Sequence, residues 1–221
     1  MSRREHITEQ SYIDCLKSMG CVFYAPLDYD NGLTELIHNE QPTIQSGATV
    51  SWSTSENMYK FKIVSSSTSP NERAVTYSIP DMGFENGGPI TLLCTVKVVS
   101  VASNYNSFFG MPDAYNIIFS QQNCAYICKA RYSGVNFNNK NKYAHTVPLM
   151  DGVHSVGLKW YCNGTLYTTS NWTGKVVIGS NTVSICQSNN STGNNEIYVQ
   201  DAMIFNRELS LAEIKEIQQI S

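Results

Sequence analysis

Residues 151–175, DGVHSVGLKWYCNGTLYTTSNWTGK, decide the fold of this chain. The Asn-Gly pair at 163–164 separates two runs that alternate in polarity, and this dipeptide favours the two positive φ angles of a type I′ turn. In the first run Val156, Leu158 and Trp160 share one face of a strand. The stretch therefore predicts a β-hairpin with one apolar face. Because an isolated hairpin is only marginally stable, a second layer must cover that face.

Further strands are predicted wherever β-branched, aromatic and alternating residues are bounded by turn residues. The segment 90–101 is nearly continuous in apolar residues, as is typical of a central strand buried on both faces. The segment 135–143 reads as a loop. The remaining predicted strands are 21–27, 49–53, 58–64, 73–79, 116–120, 125–132, 175–187 and 196–205.

Two short helices flank these strands. Thr8 can cap a helix of residues 9–19 that ends at Gly20. Its apolar stripe is formed by Tyr12, Cys15, Leu16 and Met19.

The closing helix has a more complete signature, because Ser210 and Glu213 match a capping box and Leu209 can pack onto Ile214. This helix is predicted over 210–220. It is expected to bury Leu211, Ile214 and Ile217.

Three segments resemble the laminin-G-like domains of the concanavalin A-like lectin/glucanase superfamily. The run GVHSV at 152–156, a short strand, the Asn-Gly turn and Leu166-Tyr167 are similar to a strand pair of that family. The run VQDAMIFNRELS at 199–210 is similar to its last strand and closing helix, and CVFYAPLDYDNG at 21–32 to its first strand and Asp-Gly loop. The resemblance implies an all-β jelly-roll sandwich of two antiparallel sheets with short terminal helices.

The length of 221 residues favours one core over two very small domains. We therefore expect an N-terminal segment, 1–20, with a short helix, and a single lectin-like domain, 21–221, that includes the closing helix. The residues expected to face the core are Leu92, Cys94, Val96, Val156, Leu158, Trp160 and Ile204.

Charge and hydropathy set the expected surroundings of the chain. The net charge is −3 with 15% charged residues, so no strong field favours nucleic acid or acidic lipid. No apolar run is long enough to cross a membrane, and the start MSRREHITEQ lacks the apolar segment of a secretory signal. The expectation is a product that is made and retained inside the cell that translates it.

Seven cysteines, at 15, 21, 94, 124, 128, 162 and 186, are odd in number and scattered, which predicts free thiols rather than disulfides. Cys124 and Cys128 with His145 lack a second closely spaced ligand pair, so a zinc site is disfavoured. No cofactor is expected.

A basic stretch contains Lys129, Arg131, Lys140 and Lys142 with interleaved aromatic residues. A surface of this kind can bind nucleic acid. A solvated, slightly basic loop is the favoured interpretation, and neither nucleic acid nor a membrane is an expected partner.

No catalytic motif is present. The hydrolases of the superfamily need two carboxylates a few residues apart on one strand. Glu196 and Asp201 come closest, with Tyr198 and Val199 where another acid would be required. His154 is interpreted as a structural histidine. The prediction is a protein that is not an enzyme.

Two regions are candidates for binding a sugar, which needs a flat aromatic face beside amides or carboxylates. One is the hairpin return with Asn171 and Trp172, where a Trp in a turn has less reason to be core than one in a strand. The alternative is that Trp172 closes the end of the core.

The other region is the loop after the first strand, with Asp28, Tyr29, Asp30 and Asn31. Some relatives in the resembled family bind calcium through loop carboxylates, which makes Asp28 and Asp30 candidate calcium ligands. An Asx turn is the favoured interpretation of the same residues.

Three function classes follow. The first is a structural or recognition module of a virion, such as a bacteriophage head-decoration, fibre or tail protein, since phage particles assemble in the reducing cytoplasm. Its partners would be capsid or tail subunits, further copies of itself in a symmetric oligomer, and cell-surface glycans. The second class is a carbohydrate-binding module of a bacterial surface or secreted protein. The third is a glycan-active enzyme with an unrecognised site.

Overall fold

Two antiparallel β-sheets packed face to face form the molecule in the computed structural model. It describes residues 8–65, 72–83, 88–100, 106–111, 116–120, 124–127, 130–133, 138–149, 156–172, 181–188 and 193–220. The helices are α1 (Glu9–Ser18) and α2 (Leu211–Ile217). The strands are β1 (Cys21–Ala25), β2 (Thr43–Ile44), β3 (Ala48–Ser53), β4 (Met58–Ser65), β5 (Glu72–Ser78), β6 (Ile90–Ser100), β7 (Asn106–Gly110), β8 (Asn116–Ser120), β9 (Cys124–Ile127), β10 (Ala130–Ser133), β11 (Asn141–Val147), β12 (Val156–Cys162), β13 (Thr165–Trp172), β14 (Thr182–Ser188) and β15 (Gly193–Phe205).

The first sheet has the strand order β13-β12-β11-β6-β15-β4-β3, and β1 pairs with the second half of β15. The second sheet has the order β10-β9-β8-β7-β14-β5-β2. This arrangement confirms the predicted all-β sandwich of two antiparallel sheets with short helices near its ends.

The main core lies between the two sheets. Phe23 of the first sheet packs edge-on against Tyr77 of the second, with ring centroids 5.1 Å apart. The residues expected to face inward are buried there: Leu92, Cys94, Val96, Leu158, Trp160 and Ile204. The side chain of Val156, which belongs to the same prediction, lies outside the described residues.

The hairpin forms as predicted, from β12 and β13. Asn163 and Gly164 have φ angles of 50° and 70°, as a type I′ turn requires. A Cβ atom on Gly164 would lie 2.9 Å from Cγ2 of Ile220. The turn therefore needs glycine both for its conformation and for its contact with the chain that follows α2.

A second apolar cluster lies on the outer face of the first sheet, where both helices pack. Leu16 of α1 and Ile214 of α2 cover Leu93 of the central strand β6 and Phe205 of β15. The first sheet is thus buried on both faces in this region, while the buried apolar side chains described for the second sheet lie in the main core.

Two details of the helices differ from the prediction. Cys15 is exposed and Ile13 is buried instead, since Ile13 and Leu16 are three residues apart and share one face of the helix. Leu211 is 37% exposed rather than buried. Leu209, at 2% exposure, lies in one apolar cluster with Ile214, as predicted.

Several details of the strands also differ. β2 and β7 have no counterpart among the predicted strands. The single predicted strand 125–132 is two strands, β9 and β10, which pair with each other. Tyr143, predicted in a loop, lies in β11 between β6 and β12. Lys142 and His145 obscured this strand, since charged and polar residues interrupt its apolar pattern.

The start of α2 is held at several points. Ser210 and Glu213 form the predicted capping box. Arg207 donates to Oε1 of Glu213 over 2.7 Å and to the carbonyl of Met19, at the end of α1, over 2.5 Å. These hydrogen bonds lower the pKa of Glu213 to about 2. The chain entering α2 is thereby tied to the end of α1.

Truncation of Ile214 is predicted to unfold the outer cluster. Ile214→Ala should lower the free energy of unfolding by about 2–5 kcal/mol, the range for a fully buried aliphatic side chain. Ser210→Ala, which removes only the cap, should cost about 1 kcal/mol. Leu211→Ala is the matched control with little expected effect. Denaturant unfolding measures all three, and equal stability of the Ile214 variant and the wild type would show that α2 is not docked.

Candidate functional site

An aromatic surface lies where the loop after β1 meets the β3–β4 hairpin. Tyr29, which is 73% exposed, contacts Trp52 at a ring-centroid distance of 5.8 Å. Trp52 in turn packs edge-on against Tyr59 at 5.3 Å. We call these three residues the aromatic edge. Trp52 and Tyr59 are only half-buried, so all three aromatic side chains of the edge are in part accessible to solvent.

The loop that carries Tyr29 is held in a fixed shape. The backbone N–H of Asn31 donates to Oδ1 of Asp28 over 2.7 Å, and its side-chain amide donates to Oδ2 over 3.3 Å. The N–H of Gly32 donates to the carbonyl of Asp28 over 3.1 Å. This is the Asx turn favoured at the sequence level, and it fixes the backbone on both sides of Tyr29.

Asp28 and Asp30 were also candidate calcium ligands. Both carboxylate oxygens of Asp28 accept hydrogen bonds from Asn31, whereas Asp30 is exposed. Among the described residues, no group of three His, Cys, Asp or Glu side chains is arranged to hold a metal ion. His145, one member of the disfavoured zinc cluster, is buried in β11, and burial lowers its pKa to about 3.

The other candidate region differs from its prediction. Asn171 and Trp172 lie in strand β13 rather than in a turn, with Trp172 opposite Val156 and Asn171 opposite Gly157. The side chains of Asn171 and Trp172 are outside the described residues. The structure therefore brings together the loop residues 28–31 and Trp52, and it does not join Trp172 to them. Trp52 was missed because it lies in the predicted strand 49–53, and no local pattern links that strand to the loop 28–31.

In the described part of the basic stretch, the lysine side chains donate hydrogen bonds to oxygen atoms of the protein itself. Nζ of Lys142 donates to the backbone carbonyls of Gln218 and Gln219 at the end of α2. Nζ of Lys140 donates to Oε1 of Gln200 over 3.0 Å. Lys129 and the side chain of Arg131 lie outside the described residues, as does His154.

The thiols that the structure describes are free. Cys21, Cys94, Cys162 and Cys186 are buried and Cys15 is exposed. Burial raises the pKa of Cys21 to about 12 and that of Cys162 to about 11. The buried thiols thus remain protonated and have little nucleophilic character at neutral pH.

The two acidic residues of β15 have opposite environments. Glu196 lies between Lys60 and Lys62, at 2.9 and 3.6 Å, and these bonds lower its pKa. Asp201 lies at a β-bulge, where the register with β6 shifts between Gln200 and Met203, and has a φ of 53°. Burial raises the pKa of Asp201 to about 6.

Because a bulge re-aims side chains, Gln200 and Asp201 both point to the outer face. Val199 and Ala202 on either side of them face the main core. A carboxylate with a raised pKa in a partly enclosed setting marks a candidate functional residue. Sequence pattern alone could not identify it, since a bulge leaves no clear periodic signal.

No protein-family model and no curated protein matches the sequence. The fold is similar to those of botulinum neurotoxin binding domains. For the serotype G binding domain, the TM-score is 0.64 at 14% identity over 90% of this chain and 51% of the other. For the type DC binding domain in complex with rat synaptotagmin II, the TM-score is 0.63 at 11% identity, over 91% of this chain and 52% of the other.

A third neighbour is a structure of botulinum neurotoxin type C, whose cell entry depends on interaction with two ganglioside molecules. Its TM-score is 0.63 at 11% identity, over 93% of this chain and 53% of the other. This chain spans about half the length of each neighbour. At such identities the likeness shows the fold alone, an all-β sandwich of two antiparallel sheets. No helix in the described part of the chain is long and apolar enough to cross a membrane.

Replacing Asp201 by Asn is predicted to stabilise the protein at neutral pH. The pKa of Asp201 is above its ordinary value of 3.8, so the folded state gains from protonation, and stability falls as the pH rises from about 4 through 6. Replacement by Asn removes this loss of stability, and Asn tolerates the positive φ at position 201. The expected gain is at most about 3 kcal/mol at pH 8 by linkage.

The measurement is thermal unfolding of the wild type and the Asp201→Asn variant between pH 4 and pH 8. The two should differ least at pH 4 and most at pH 8. Because Glu213 is present in both proteins, its loss of stabilisation in acid cancels in the difference. A difference that does not change with pH would contradict the assignment.

Proposed function

We propose that this chain is a non-enzymatic recognition module that binds cell-surface glycans through the aromatic edge and the adjoining loop 28–31. The observation that carries the proposal is the exposed ring of Tyr29, backed by Trp52 and held by an Asx turn. Sugars present apolar C–H faces that stack on aromatic rings, and hydroxyl groups that bond to amides and carboxylates. Asp30 and the backbone of the loop supply such polar groups beside the ring.

The structural neighbours support the same class of function. They are toxin binding domains, and one of them belongs to a toxin whose cell entry depends on gangliosides. Because this chain corresponds to about half of each neighbour, the proposal depends on its own residues and not on the sites of the toxins. Asp201 is the one acidic residue among the described residues that line a pocket on the outer face of the first sheet, whereas glycoside hydrolysis needs a pair of carboxylates. Burial and the charge of Asp28 raise the pKa of Asp201, but both oxygens of Asp28 already accept hydrogen bonds from Asn31.

Membership of the laminin-G-like family, and a single domain over 21–221 preceded by the segment 1–20, are parts of the same proposal. The kind of protein or particle to which the module belongs is also part of the proposal. A virion protein assembled in a host cytoplasm is favoured by the free thiols of the described residues, and a bacterial surface or secreted protein is the alternative. Mass spectrometry of purified virus particles from cultures that produce the chain would decide, since its absence from them would exclude the virion role.

Truncation of the aromatic edge at Tyr29 is predicted to weaken glycan binding without unfolding the protein. Tyr29→Ala should lower affinity for the glycan by about 1–3 kcal/mol, the scale of a lost stacking contact. It should leave the melting temperature unchanged, because the side chain is mostly exposed. A glycan array that includes ganglioside headgroups identifies the ligand, and calorimetry then measures the variants.

Leu166→Ala removes an apolar side chain that is 47% exposed on β13 and serves as the matched control. Trp172→Ala tests the competing region. Loss of binding in the Trp172 variant with full binding by Tyr29→Ala would assign the site to the hairpin return. A several kcal/mol loss of stability in the Trp172 variant would show that this residue is core.

A further inference from the structure

A second concave site lies on the outer face of the first sheet, between α1 and α2. It is a pocket of about 300 Å³, at the lower end of the volumes that bind small molecules. Tyr12 of α1 and Tyr24 of β1 form one wall, with ring centroids 5.9 Å apart and an interplanar angle of 77°. Asp201 and Gln218 contribute polar groups.

The pocket contains hydrogen-bond acceptors that lack donors. Nε2 of Gln218 donates to the carbonyl of Tyr143 over 2.9 Å, but Oε1 of Gln218 is buried without a partner among the described residues. The carboxylate of Asp201 is only half-buried and accepts no hydrogen bond from the described part of the chain. A buried acceptor such as Oε1 of Gln218 costs free energy when it is left unpaired, so a ligand that donates hydrogen bonds fits this site.

The charges around the pocket narrow the class of ligand. Asp201 repels an anion. Two lysines repel a cation. Lys142 also lines the pocket, and Lys140 lies near enough to lower the pKa of Asp201. The ammonium groups of both lysines already donate to protein oxygens. A neutral molecule with several hydroxyl groups meets none of these repulsions and supplies the missing donors.

We propose that this pocket binds one neutral sugar unit, whose hydroxyl groups donate to Asp201 and Gln218 while its C–H face lies against Tyr12 or Tyr24. The inference rests on the proposed function and adds a second subsite to it. The two sites are close along the chain. Tyr24 lies in the strand that leads directly into the loop 28–31, and the carbonyl of Pro26 accepts from the N–H of Asp201 over 2.9 Å.

Binding at this subsite is expected to depend on pH through Asp201. Affinity should fall as the pH drops through about 6, because the protonated carboxyl group loses acceptor strength. The phenols of Tyr12 and Tyr24 and the thiol of Cys94 have raised pKa values and stay neutral in this range. The titratable groups that influence Asp201, or are influenced by it, are Tyr12 on α1, Tyr24 on β1, Cys94 on β6, Lys142 on β11, and Lys140 and Asp28 in loops.

The test is a titration of the full chain with free glucose, galactose and mannose, followed by backbone amide shifts in NMR spectra. At least one hexose should shift the amides of Tyr24 and Asp201. Asp201→Asn should weaken this binding by about tenfold or more, the scale of a lost charge-assisted hydrogen bond, and should remove its pH dependence. The same variant is expected to be more stable than the wild type, so misfolding would not explain a loss.

Two comparisons separate this inference from the proposed function. In a Tyr29→Ala, Trp52→Ala double variant, the shifts at Tyr24 and Asp201 should persist even though binding at the aromatic edge is lost. If the wild type binds array glycans but no hexose shifts these amides, the subsite is wrong and the aromatic edge stands. Binding that is unaffected by Asp201→Asn, or Asp201-dependent binding of inorganic phosphate or methylammonium without any hexose, would also overturn the inference.

Discussion

The central strand β6 is buried on both faces, and the rest of the structure depends on covering both. Its residues from Ile90 to Val96 are buried without interruption. Leu92 and Cys94 face the second sheet, whereas Leu93 faces the two helices. Without the helices, Leu93 and its neighbours would be exposed to water. This exposure would cost about 25 cal/mol for each square ångström of apolar surface. The two short helices are therefore needed to cover this strand. Neither helix is long enough to be stable alone.

This burial on both faces ends at Lys97, where the outer surface of the sheet becomes polar. Lys60 and Lys97 both approach the ring of Tyr198, at 6.0 and 5.9 Å from its centroid. The sheet beyond that point is a polar outer face that no helix covers. The bulge at Asp201 lies on the boundary between the covered and uncovered parts, so a buried carboxylate remains close to solvent. A pocket at this boundary follows from helices that are shorter than the strands they cover.

The sequence was most informative where a local rule requires a particular residue. The Asn-Gly turn, the capping box at Ser210 and the core positions Leu92 and Ile204 were predicted and are confirmed, because each depends on nearby residues alone. The strand β11 was missed, since its burial depends on pairing with β6 and β12. The loop 28–31 was recognised as a candidate site, yet its partner Trp52 could not be found, because their contact joins segments that sequence periodicity treats separately.

Two central residues of the candidate sites lie where the regular pattern of the sandwich is interrupted. Tyr29 follows the end of β1, and Asp201 occupies a bulge in β15. Regular strands satisfy their own backbone groups and bury their side chains, so they leave few groups for a ligand. An ionised Asp201 reduces stability at neutral pH, and an amide would fit its backbone conformation equally well. A residue that costs stability and has a simple replacement is better explained by recognition than by folding.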